Sequence, residues 1–148
     1  MSQSPQPLSI TGGKNLLGFH SLLGYRQMFW GEGKAVIALD PKSEHLNLGG
    51  VIHGGVMTSL LDIALAEGGT FCPYSGRMRK AITLTLTTIF TGQCSAGTIT
   101  VTGIKRAGGT RIFNSTGEVG DGDGNLLTIA EGAFLTRSGS EKPEGVPI

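Results

Sequence analysis

Residues 45–69, HLNLGGVIHGGVMTSLLDIALAEGG, constrain the fold more than any other stretch. A glycine-rich approach from Leu46 to Gly55 runs straight into a helix over about residues 54–67. Val56, Met57, Leu60, Leu61, Ile63, Ala64 and Leu65 cover most of its circumference. A helix that is apolar nearly all round is buried on more than one side. Thr58, Ser59 and Asp62 share one narrow polar strip by their i, i+3 and i+4 spacings. The rest of the chain reads as wrapping for this helix.

Two features of the stretch can carry chemistry. Gly54 and Gly55 stand at the helix start, where N–H groups lack internal acceptors and the dipole is positive. Without a Cβ, a ligand can approach those amides, and a carbonyl oxygen gaining negative charge suits them. Asp62 is a carboxylate in the middle of an apolar helix, where an unpaired charge is costly. It is read two ways: as a structural group bonded to Thr58, Ser59 or a backbone N–H, or as a catalytic carboxylate. Eight residues separate it from Gly54, roughly 12 Å along the axis at ~1.5 Å per residue. One reacting group must lie about 3 Å from both a base and an oxyanion donor. A single helix does not bring these two together; two antiparallel helices across a two-fold axis do. If Asp62 and Gly54 cooperate, the protein is at least a dimer with shared sites.

The chain has 148 residues, 39% hydrophobic and 16% charged, with a net charge of +1. That length fits one domain with its own core. The balance, with no basic run, argues against nucleic acid, and no apolar run reaches a membrane span. Two cysteines without CxxC spacing, Cys72 and Cys94, and no secretory pattern at the start fit a reducing cytoplasm. Residues 1–10 are expected to be flexible. Leu16, Leu17, Phe19, Leu22 and Leu23 predict a helix within 11–23, stopped at Gly24. Residues 25–30 and 34–39 read as strands across Gly31-Glu32-Gly33, and 70–80 as a loop. Residues 81–91 alternate strictly: Ile82, Leu84, Leu86 and Phe90 against Thr83, Thr85, Thr87 and Thr91. That pattern predicts a strand with one apolar face on the core. Strands at 96–106, 110–119 and 126–136 follow, joined by turns at Gly108-Gly109 and at 120–125. The segment 121–125, DGDGN, resembles the start of a calcium loop, but Leu126 and Gly132 stand where glycine and glutamate are needed, so a hairpin turn is expected. Residues 137–148 are expected to form a loose tail. The fold class is α+β: an antiparallel sheet around one long helix, in a single domain over 11–136.

Residues 46–62, LNLGGVIHGGVMTSLLD, resemble the signature of the hotdog-fold acyl-CoA thioesterases of the phenylacetate-degradation type. The matching positions are Asn47, Gly49 or Gly50, His53-Gly54-Gly55 and Asp62. The resemblance extends over residues 15–136, through the Thr83–Phe90 strand to Gly132 and Phe134. It implies a sheet wrapped round the central helix, paired into a homodimer and often a homotetramer, and hydrolysis of an acyl-CoA thioester. It makes Asp62 general base or nucleophile, Gly54 N–H the carbonyl polariser, Asn47 and His53 site-lining groups, and Thr83 the hydroxyl that assists water. Residue by residue, Thr85 competes with Thr83 for that last role.

No metal or redox cofactor is implied; coenzyme A enters as part of the substrate. The acyl group is expected to be small, aromatic or medium-chain, with Gly55, Met57 and Leu61 against it. Lys105, Arg106 and Arg111 flank one hairpin and are candidates for the coenzyme A phosphates, or plain solvated charges at a sheet end. His53 also reads as a brace for the loop, and Asn47 as a turn former. Two other functions remain open at this level: hydration or dehydration of a 2-enoyl thioester on the same fold, with His53 moving the proton, and non-catalytic acyl-CoA binding.

Overall fold

The computed structural model describes residues 16–148. The elements are α1 (Gly18–Leu23), β1 (Arg26–Gly31), β2 (Lys34–Leu39), a 3-10 turn (Ser43–His45), α2 (Gly54–Gly68), β3 (Arg77–Met78), β4 (Ala81–Phe90), β5 (Ile99–Gly108), β6 (Ile112–Gly120), β7 (Leu126–Thr136) and β8 (Val146–Pro147). Six strands form one sheet in the order β1-β2-β5-β6-β7-β4, antiparallel at every pairing. The path from β2 runs through α2 to the far edge of the sheet, lays down β4, and returns to β5 beside β2.

Helix α2 lies against β1, β2, β4, β5, β6 and β7. Its Leu60, Leu61, Ala64 and Leu65 are fully buried with Ile37, Ile99, Val101, Phe113 and Phe134. Each large side chain fully buried in this way contributes about 1.5–3 kcal/mol. The helix sits close because Gly103 faces the backbone of Ala64 and Leu65, leaving no room there for a Cβ. At the helix end, Trp30 Nε1 donates to Glu67 O (2.8 Å) and Thr70 Oγ1 to Ala66 O (2.9 Å), satisfying carbonyls that have no partner within the helix. The expected antiparallel sheet on one main helix is thus present, although α2 has 15 residues and is not especially long.

Several expectations need correcting. The first helix is only six residues, and the part of it expected at 11–15, like the flexible stretch 1–10, lies outside the described residues. The loop at 70–80 contains β3, which pairs with β8 of the supposedly loose tail. Arg77 Nε donates to Glu144 O (2.7 Å), and the buried Ser140 Oγ accepts from Lys80 N (2.8 Å), so residues 137–148 are fastened to the domain.

The main correction is in β4. Thr83 pairs with Phe134 and Thr85 with Ala133, which leaves Leu84 as an extra, bulged residue. A bulge reverses which alternate positions face the core. Thr83 and Leu86 therefore both look toward α2, while Ile82, Leu84 and Ile89 are 39%, 49% and 55% exposed in the single chain.

Candidate functional site

The approach loop is shaped by its own polar groups. Asn47 Oδ1 accepts from Gly49 N (2.9 Å) and Val51 N (3.2 Å), while Asn47 N donates to Val51 O (2.8 Å). Asn47 is thus the turn former of the loop, and its side-chain oxygen is already engaged. His53 is the N-cap of α2, and its Nδ1 accepts from Gly55 N at 2.7 Å. An amide can only donate, so Nδ1 carries no proton and the neutral ring holds its proton on Nε2. The ring braces the helix start by accepting a bond.

That bond also separates the two glycines. Gly55 N–H is occupied by His53, whereas Gly54 N–H donates to no described residue. Val56 and Met57 N–H both turn back to His53 O. One amide of the first turn is therefore open, on the positive end of the helix dipole. Phe90, at the end of β4, stands beside it: a Cβ placed on Gly54 would lie 3.2 Å from the Phe90 ring. Half of the Phe90 surface is exposed, so its ring forms one wall of the approach to Gly54.

Eight residues on, Asp62 is partly buried, and Thr83 Oγ1 donates to Asp62 Oδ1 at 2.6 Å. The bulge at Leu84 lets Thr83 turn inward to make this bond, and it settles Thr83 over Thr85 as the hydroxyl beside the carboxylate. Ser59 turns instead to Gly55 O (2.7 Å). One oxygen of Asp62 is thus held while Oδ2 accepts no hydrogen bond from any described residue.

The other expected site residues are not gathered here. Met57 and Leu61 are 3% and 0% exposed and belong to the core, Met57 Sδ accepting from Thr128 Oγ1 at 3.3 Å. They pack the domain and offer no surface for an acyl chain. Lys105 turns inward, with Nζ 5.8 Å from the Phe113 ring centroid, while its neighbour Arg106 donates to Thr116 Oγ1 (2.7 Å) on the outer face of the sheet. Arg111 lies in the β5–β6 turn, with its backbone carbonyl accepting from Thr136 N–H, so the three cations do flank one hairpin, and Lys105 and Arg106 make different contacts there. A depression of about 430 Å³ opens on that outer face between Ile89, Ile104, Arg106 and Glu131; it includes neither Asp62 nor Gly54.

Sequence reasoning missed Phe90 as a neighbour of Gly54 and the buried His45, whose O accepts from His53 N at 2.9 Å. No local signal marked either residue.

The chain matches no protein-family model and no curated protein sequence. Solved structures do match it. The Escherichia coli PaaI protein of the phenylacetic acid degradation operon superposes with a TM-score of 0.71 at 23% identity, covering 81% of this chain and 84% of that one. A point mutant of the phenylacetic acid degradation protein PaaI from Thermus thermophilus gives 0.69 at 24% identity, over 79% and 96%. A thioesterase from Haemophilus influenzae gives 0.70 at 18%, over 79% and 80%. With its six-stranded antiparallel sheet on one buried helix, the chain has the hotdog fold, in common with PaaI-type proteins and other thioesterases.

Proposed function

We propose that the protein is an acyl-CoA thioesterase, hydrolysing a small aromatic or medium-chain acyl-CoA to the free acid and coenzyme A. The observation that carries the proposal is the Thr83–Asp62 bond of 2.6 Å on a helix whose first amide, Gly54 N–H, is left open. Thr83 fixes one carboxylate oxygen. The other accepts a proton from water as the water attacks the thioester carbon. Gly54 N–H stabilises the resulting oxyanion, and collapse of the tetrahedral species expels the thiolate, which takes from Asp62 the proton that came from water. A base of this kind contributes about 10²–10⁴-fold in rate, and an oxyanion donor about 10²–10³-fold. The reaction as written requires no resident cofactor.

The site is completed by a second copy. Strand β4 is an edge strand, and an unpaired edge with exposed Ile82, Leu84 and Ile89 is a template for another strand. Thr83 near one end of β4 marks Asp62, and Phe90 at the other end marks Gly54. Two β4 strands paired antiparallel about their common middle set Thr83 of one chain near Phe90 of the other. Asp62 then meets the partner's Gly54, which the 12 Å estimate along one helix forbids within a chain. Such dimers, joined further into a tetramer and working in the cytoplasm, complete the proposal.

The His53 geometry supports hydrolysis over hydration of a 2-enoyl thioester. A neutral ring with its proton on Nε2 and its Nδ1 lone pair bound to Gly55 has no free base to offer. Release of free thiol from a panel of acyl-CoA esters tests the proposal. Wild type should turn over at least one ester, and Asp62→Ala should lose about 10²–10⁴-fold. Binding without release from any ester favours an acyl-CoA-binding module, and undiminished release by the variant removes Asp62 from the mechanism.

A further inference from the structure

We infer that His45 is a positioning residue for this site, holding the approach loop and the start of α2 in place through both of its ring nitrogens; the inference rests on the thioesterase reading for its kinetic consequence. His45 is 5% exposed. Its Nδ1 accepts from Lys42 N at 2.9 Å, and its Nε2 lies 2.9 Å from Leu23 O. The first partner can only donate and the second can only accept, so the ring is the Nε2–H tautomer. Leu23 is the last residue of α1, and its carbonyl is one that the helix itself leaves unpaired. The ring thus joins the end of α1 to the 3-10 turn.

The backbone passes this anchor on to the site. His45 O accepts from His53 N at 2.9 Å, and His53 is the N-cap whose ring occupies Gly55 N–H. Between the two, Leu46 bridges Ile52, and Asn47 ties the loop to Gly49 and Val51. The direction of the open Gly54 amide is therefore set by a path of backbone bonds that begins at the His45 ring. A displacement of about 1 Å at a reacting group costs on the order of 10²-fold in rate. His45 itself touches neither Asp62 nor Gly54 and moves no proton in the reaction.

The two amide replacements divide the roles of the ring. Gln places a donor near the position of Nε2 and retains the link to Leu23; Asn places an acceptor near Nδ1 and retains only the bond from Lys42. Wild type, His45→Gln and His45→Asn would be assayed for thiol release at a temperature at which circular dichroism shows all three folded. The expected result is a fall in kcat of about 10²-fold for His45→Asn with KM changed less than about 3-fold, and partial recovery in His45→Gln. Equal kcat in all three folded proteins overturns the inference, as does a fall that Gln does not relieve.

Two measurements read His45 without turnover, so that a wild type releasing no thiol counts against the thioesterase reading alone. Long-range proton–nitrogen spectra of the wild type should show His45 protonated on Nε2 and bare on Nδ1; a proton on Nδ1 overturns the inference even if neither variant folds. In folded His45→Asn, the amide signals of His53, Gly54 and Gly55 should move from their wild-type positions, and unmoved signals overturn it.

Discussion

At Asp62 the decisive quantity is how one oxygen is held. Thr83 donates to Oδ1 at 2.6 Å, a length typical of a hydroxyl bound to an ionised carboxylate. A bond to a charged group contributes about 1.5–3 kcal/mol, which converts to roughly 10- to 10²-fold in rate if it is felt only in the transition state. Thr83→Val keeps the shape and removes the hydroxyl, so kcat for thiol release should fall by that factor while Thr83→Ser largely retains it. A second carboxylate makes a different prediction. Hydrogen bonds from the side chain and backbone of Asn125, then from Asp123 N–H, hold the Asp121 carboxyl below its ordinary value of 3.8. A group whose pKa is depressed on folding stabilises the fold above its unfolded pKa and ceases to do so as pH falls through the folded one. The loss of Tm in Asp121→Ala relative to wild type should therefore be largest near neutrality and shrink as the pH is taken below 3.8; a difference that grows on acidification contradicts the assignment. At this scale the sequence was informative where chemistry is local. The turn-forming reading of Asn47, one of the two given to it, and the helix start at Gly54-Gly55 followed from residue type. The choice of Thr83 over Thr85 did not, because a run of threonines carries no mark of where a bulge falls.

Among the elements, α2 was legible because glycines precede and follow an apolar run too dense for a surface helix. The β5–β6 hairpin and β7 were legible from their turns. Strands β3 and β8 have two residues each, too few for any periodicity. The face of β4 was misread for a physical reason: strict alternation predicts one apolar face only if the strand is regular, and the extra Leu84 reverses the pattern midway. Met57 and Leu61 were misread because an apolar helix position looks the same whether it packs a core or lines a pocket. The fit of α2 on the sheet also has a testable weak point. Gly103 lies under the Ala64 and Leu65 backbone, where neither side has a flexible group that can move aside. Gly103→Ala should lower stability by about 1–3 kcal/mol in a urea titration. An unchanged midpoint would mean that the helix is not seated as described.

In the whole molecule, fold and site are linked by the edge of the sheet. The chain places an open amide at the start of α2 and a held carboxylate at its middle, and β4 runs past both. Under the proposed mechanism that arrangement calls for a second copy laid along β4, where Ile82, Leu84 and Ile89 are exposed in the single chain. The proposal of two chains could be framed from the sequence as a separation along one helix; the edge proposed to receive the second chain could not, since strand order is a property of the sheet. Subunit complementation tests the claim most directly. Asp62→Ala removes the base, and Gly54→Pro removes a single N–H at the first helical position, where proline is tolerated. Each variant alone should release almost no thiol from an ester that wild type hydrolyses. Refolded together in equal amounts, half of the dimers are mixed and each has one intact site, so about a quarter of the wild-type rate should return. A mixture as inactive as its two components would contradict a site shared between chains.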